Sequence, residues 1–182
     1  RTAPLITALT ATDAALWRPR ERGAQPKTTT ERLRETHSAM LPYPGSRRVE
    51  AVLARATDRA ESPLETVSRV AFEELGFPQP ESQHHVELPE LGQAADIDFW
   101  WPGYGVAGEA DGVGKYRREP GVDATIETVL AEKAREDAIR RRVRAFVRWT
   151  WADAWARDPL RAKLEQAGLP IVRRPTRLIR LS

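Results

Sequence analysis

The run from Ile97 to Gly112 constrains the fold of this chain more than any other segment. Two short apolar stretches flank Pro102-Gly103, which predicts an antiparallel hairpin closed by a tight turn. Asp98 stands at the start of the first stretch, and Glu109 and Asp111 stand at the end of the second. In a hairpin of this length those carboxylates converge at one end of the sheet. Glu109 and Asp111 are two residues apart, so on a regular strand they share a face. Gly112 then lets the backbone turn away sharply. Half-buried carboxylates repel one another and are costly to desolvate unless a cation sits between them. An all-oxygen set of this kind suits a hard divalent ion, Mg²⁺ or Mn²⁺. Asp98, Glu109 and the Ala110 carbonyl are the expected ligands, with Asp111 binding or orienting water.

The bulk numbers narrow the field. At 182 residues the chain can bury a sizeable core. It has no cysteine, which excludes disulfides, thiolate zinc sites and a cysteine nucleophile. No apolar run approaches the roughly 18 residues of a membrane helix, and no signal-peptide pattern is present. A cytoplasmic protein with no membrane partner is the expectation. The chain begins at Arg1, so it is expected to be part of a longer protein. Its net charge of +3 hides an asymmetry: residues 1–130 carry 15 basic and 20 acidic residues, residues 131–182 carry 14 basic and 6 acidic. A phosphate-facing surface beside an acidic metal site would produce that split, as would an arginine-rich solvated surface. No nucleotide loop, Ser-His-Asp set or dinucleotide fingerprint occurs.

Along the chain, helices are expected over residues 1–17, from Thr30 to Met40, and after Ser46. They form a helical adaptor over residues 1–61. Ser62-Pro63-Leu64-Glu65 opens the next helix as a capping box with proline at the first helical position. Gly76 ends it. A strand follows around His85 to Leu88, then the hairpin, then a loop holding Lys115. A long helix runs from Thr125 to about Arg142, with Ile126, Val129, Leu130 and Ala134 as its buried side. Lys133 extends that stripe, so Lys133 or Lys115 is the cation expected to steady developing charge. The alternative for Lys133 is pairing with Glu136 or Asp137. Ala145 to Trp149 makes a strand, a helix runs from about Asp153 to Leu164, and Ile171 to Ser182 is read as an edge strand. The expected class is mixed α/β (α+β), an α-β-β-β-α-β core over residues 62–182 with a helical N-terminal extension. Arg135, Arg140, Arg141, Arg142 and Arg144 are the phosphate candidates. His84-His85 are strand neighbours that point to opposite faces and so make a poor metal pair. Trp149, Trp151 and Trp155 are expected mainly in the core rather than stacked on bases.

Five segments carry a resemblance to a known family: Ser62-Pro63-Leu64-Glu65, Asp98 to Pro102, Glu109-Ala110-Asp111-Gly112, Glu132 to Glu136, and Val147-Arg148-Trp149. In that order, residues 62–165 resemble the P-D-(D/E)-x-K nuclease superfamily, and more closely its very-short-patch-repair-endonuclease-like domains of actinobacterial type. The resemblance implies a restriction-endonuclease-like core, Asp98 and Glu109 as metal ligands, and Glu65 facing the site from the first core helix. As third-position partner of the Ser62 cap, Glu65 is equally explained without catalysis. Residues before this core faintly resemble the connector of type IV antitoxin-like proteins, which carry an upstream winged-helix DNA-binding module. The usual E-x-K is Glu109-Ala110-Asp111 here, and Lys115 stands where many relatives have histidine. Val143 replaces a glycine expected before the last strand. The implied activity is a divalent-metal-dependent DNA endonuclease or nicking domain. The lost strand lysine keeps a second reading open, a catalytically inactive nuclease-like DNA-binding module of an antitoxin-type regulator. A third is a protein-binding domain whose acidic end meets a basic partner.

Overall fold

The computed structural model describes residues 4–18, 25–112, 126–176 and 178. Among these, the chain forms α1 (Leu5–Leu16), α2 (Thr30–Met40), α3 (Ser46–Leu53), α4 (Pro63–Leu75), β1 (Glu81–Leu88), β2 (Gln93–Trp101), β3 (Val106–Asp111), α5 (Ile126–Arg140), β4 (Ala145–Thr150), α6 (Trp151–Ala156) and α7 (Asp158–Gln166). The class is α+β, with one four-stranded mixed sheet. Strand order is β1-β2-β3-β4; β1, β2 and β3 run antiparallel in turn, and β4 joins β3 in parallel. From residue 63 the order is α-β-β-β-α-β, as expected. No helix among the described residues is long and apolar enough to cross a membrane.

Each face of the sheet carries its own apolar cluster. Phe99, Trp101, Val106, Val147 and Trp149 pack with Phe72 and Val67 of α4, and Leu5, Ile6, Leu9 and Val52 from α1 and α3 join the same cluster. Leu88, Ala95, Ile97 and Ala107 pack with Ala138 and Ile139 of α5. Val106 and Ala107 are strand neighbours in different clusters, so the two clusters lie on opposite faces of β3. Gly108 is needed at the centre. A Cβ there would lie 2.7 Å from the Trp149 ring and 3.1 Å from Trp101. The bare backbone lets two indoles close over β3 just before Glu109.

Local signals explain α4. Ser62 caps it by accepting the Glu65 N–H (3.2 Å), Pro63 opens it, and Gly76 ends it at φ 81°. Elsewhere several expectations are corrected. The buried side of α5 is Ala138 and Ile139, while Val129 and Leu130 are 50% and 60% exposed and Lys133 faces solvent. Leu130 and Ile139 are nine residues apart; at about 100° per residue that is half a turn, so the expected stripe lies on the wrong side. The side chain of Ile126 and all of Lys115 lie outside the described residues. The last helix is two, broken at Arg157 (φ 71°) ahead of Pro159. Val172 and Arg173 donate to the Gly76 carbonyl and Thr176 to that of Glu74. The described part of the C-terminal segment is thus a strap on the end of α4, not an edge strand.

Candidate functional site

Asp98 marks an irregularity shared by two strands. Ala95 and Ile97 belong to the α5-side cluster, whereas Phe99 and Trp101 belong to the α4-side cluster. Alternate residues share a face on a regular strand, so β2 changes face at Asp98. Its paired run with β3 covers Phe99 to Trp101 against Val106 to Gly108. Beyond it the Asp98 carboxylate accepts the Ala110 N–H at 2.9 Å. A side-chain oxygen thereby takes a ladder carbonyl's place and ties Asp98 to the residue that follows Glu109. Opposite Asp98 on β1, Gln83 adopts φ 55°, a left-handed conformation that costs a non-glycine residue about 1–3 kcal/mol and concentrates at functional sites.

Gln83 also joins Asp98 to α4. Its Nε2 donates to Glu65 at 3.0 Å and lies 3.5 Å from Asp98 Oδ1. Glu65 is buried and accepts further bonds from the Glu61 N–H (3.0 Å) and the Ser62 hydroxyl (2.7 Å). Burial raises its pKa above the ordinary glutamate value, opposed by those three donors. The expected capping box is thus not closed, since the Glu65 carboxylate takes the Glu61 N–H and the Ser62 hydroxyl instead of the Ser62 N–H; one carboxylate buttresses the Ser62 cap and links toward Asp98.

Glu109 is 8% exposed and held by two guanidinium groups. Arg135 on α5 donates to Oε1 at 3.0 Å, and Arg148 donates to Oε2 at 2.7 Å. Arg148 is the direct register partner of Glu109 and also lies 3.3 Å from Glu136. Burial works against the Arg148 charge, but the bond it donates to Glu109 and the nearby Glu136 and Asp111 outweigh it and raise its pKa. Asp111 is half-buried at the end of β3, in register with Thr150.

Three carboxylates have the donor chemistry of a hard-cation site. Yet among the described residues no group of three or more His, Asp and Glu side chains is placed to hold an ion. Glu109 spends both oxygens on arginine, Asp98 spends one on the Ala110 N–H, and the Ala110 carbonyl accepts the Gly112 N–H (3.1 Å). A cation entering here competes with Arg135 and Arg148 for Glu109.

The remaining expected residues do not gather at this point. Arg140 bonds Glu136 and lies over the Phe146 ring, Arg141 and Arg142 pair with Glu90, and Arg144 donates to the carbonyls of Tyr104 and Ala167. The arginines at the end of α5 are thus engaged within the protein, and those of Arg142 hold the Glu90 pKa down to about 2. His85 bonds Asp96 and Glu87, and His84 stacks on Trp100. Sequence reasoning missed Gln83 and Arg148. Arg148 had a signal, a cation alternating with Val147 and Trp149 on the strand beside the acidic one; a lone Gln83 in a polar strand had none. An apolar groove of 620 Å³ between α1, α2 and α3 is lined by Leu5, Leu33, Met40 and Val52 and lies apart from all of these.

No family model matches this chain, and no curated protein and no solved structure matches it either.

Proposed function

We propose that this chain is a divalent-metal-dependent DNA endonuclease domain with a restriction-endonuclease-like core. One contact carries the reading: the Asp98 carboxylate on the Ala110 N–H, which brings the acid of β2 beside the acids of β3. The α-β-β-β-α-β order and the link from Glu65 through Gln83 support it. Asp98, Glu109 and Asp111 would hold Mg²⁺ or Mn²⁺, with Glu65 and Gln83 fixing the carboxylate of Asp98. Such an ion supplies an activated water and charge neutralisation at phosphate. Arg135 and Arg148, once freed from Glu109, would be available to phosphate oxygens approaching the same carboxylates. Lys133 is exposed, so arginine takes the cationic role that the family pattern gives to lysine.

A second reading has its own observation. Glu109 with both oxygens on guanidinium groups is the arrangement expected of a nuclease-like fold kept for DNA binding or regulation. Calorimetric titration of Mg²⁺ and Mn²⁺ into wild type, Asp98→Asn and Glu109→Gln, with plasmid nicking in parallel, decides between them. The nuclease requires metal binding and nicking that both substitutions remove. Salt-sensitive DNA binding that is equal in chelator and in Mg²⁺, without nicking, selects the regulator.

A further inference from the structure

Three tryptophans cluster around the end of β4, and the structure separates them. Trp149 is fully buried and donates to the Ser68 hydroxyl at 2.8 Å. Trp151 and Trp155 are 46% and 53% exposed. They stand one turn apart on α6, with ring centroids 6.1 Å apart and planes within 12°. Exposed indole is costly, and this stacked pair leaves about half of its surface in water. The helix that presents it is firmly held. Thr150 and Asp153 form a reciprocal capping box at its start, and Ala154 is buried beneath it.

The position of the pair points to its partner. Thr150 is the register partner of Asp111, so the platform starts one residue beyond the acidic end of β3. Lys163 bonds Asp153 (2.7 Å) and the Arg148 carbonyl (3.3 Å), which places a cation between the platform and the strand of Arg148. Lys163 and Asp153 neutralise each other, so this pair sets no net charge against an approaching backbone. Aromatic faces beside the site proposed for phosphodiesters suit single-stranded nucleic acid, with bases on the rings and the backbone toward that site. A paired duplex hides its base faces and gains little from such a surface.

We propose that Trp151 and Trp155 form a base-stacking platform that takes unpaired nucleotides and delivers the adjoining phosphate to the Asp98–Glu109 site. The proposal rests on reading that site as one for phosphodiesters, and it names single-stranded or locally opened DNA as the substrate class. The test is fluorescence anisotropy of labelled oligothymidine and of a duplex of equal length, in chelator. Wild type is compared with Trp151→Ala/Trp155→Ala and Trp151→Phe/Trp155→Phe, each checked by circular dichroism melting. Wild type should prefer the single strand, the alanine pair should lose about tenfold or more of that affinity, and the phenylalanine pair should keep most of it. If the alanine pair fails to fold, quenching of wild-type indole emission by oligothymidine but not by duplex supports the platform. Its absence overturns it. Undiminished single-strand binding by a folded alanine pair overturns the platform, and the nuclease reading survives if metal-dependent nicking persists. Binding lost in the alanine pair of a protein that nicks nothing keeps the platform and removes the nuclease. Self-association abolished by Trp155→Ala, with no oligonucleotide binding, reassigns the surface to protein contact and overturns the proposal.

Discussion

Asp13 and Glu109 are both buried carboxylates that meet arginine, and they do so in opposite ways. Asp13, 1% exposed on α1, accepts the Thr57 N–H (2.9 Å), the Thr66 hydroxyl (2.8 Å) and Arg69 (3.1 Å). One acid meets one guanidinium, and neutral donors fill its remaining lone pairs. Glu109 instead draws two guanidinium groups, while Asp98 and Asp111 stand near it. The first arrangement is a strut: it fastens α1 and the segment after α3 to α4, and removing either partner strands a buried charge. The second holds more charged groups than one ion pair needs, which the proposed function would use by letting its members change partners when a cation or a phosphate arrives. Saturation suits the strut, and the surplus charge is what favours the proposed site.

That comparison breaks if the two acids behave alike on substitution. Asp98→Asn keeps an oxygen for the Ala110 N–H and removes the charge, losing with it the long 3.5 Å contact from Gln83, so the fold should stand while nicking falls about a thousandfold, roughly 4 kcal/mol of transition-state stabilisation. Plasmid nicking beside a thermal melt reads both quantities, and full activity in that variant removes Asp98 from the site. Asp13→Ala should do the reverse. It leaves Arg69 buried without its partner and is expected to cost about 3 kcal/mol of stability in urea, with the specific activity of the folded fraction unchanged. A loss below 1 kcal/mol would show that α1 is not fastened through this pair.

The elements of the core were legible because their signals are local. Ser62-Pro63-Leu64-Glu65 and Gly76 delimit α4, and Pro102-Gly103 closes the hairpin. The carboxylates Asp98 and Glu109 were legible from the same hairpin. What they touch was not. The partners of Glu109 come from α5 and β4, and only the tertiary arrangement sets which face of α5 meets the sheet. Reading that helix half a turn out of phase put Lys133 inward and hid Arg135's contact with Glu109. The exposure of Trp151 and Trp155 was hidden similarly, since composition cannot tell an indole that is covered from one that is offered. The Gln83 backbone is visible only in three dimensions.

Surplus charge at Glu109 also sets the direction of a gentler test. Arg148→Gln removes the partner of Oε2 and leaves Arg135 on Oε1. Metal should then bind about fivefold more tightly, the equivalent of one partly exposed ion pair near 1 kcal/mol. Calorimetry with Mn²⁺ measures this, and unchanged or weaker binding means that Glu109 is not a metal ligand.

The smallest expected effect concerns Glu65, which stands between the strut and the site. Its pKa is raised by burial, so the folded chain holds a proton there more readily than the unfolded chain does. The sign follows from linkage: between the ordinary glutamate value and the raised one, the native state binds more protons, so stability falls as pH rises. Glu65→Gln removes this titration while keeping an oxygen for the cap, and its stability at neutral pH should lie within about 1 kcal/mol of wild type. Relative to that variant, wild type should gain stability as pH is lowered from neutrality toward the ordinary glutamate range, measured by urea unfolding at a series of pH values. A cap alone predicts this profile with nicking intact. A carboxylate that also fixes Asp98 through Gln83 predicts the same profile with nicking reduced, and this second readout separates the two roles of Glu65.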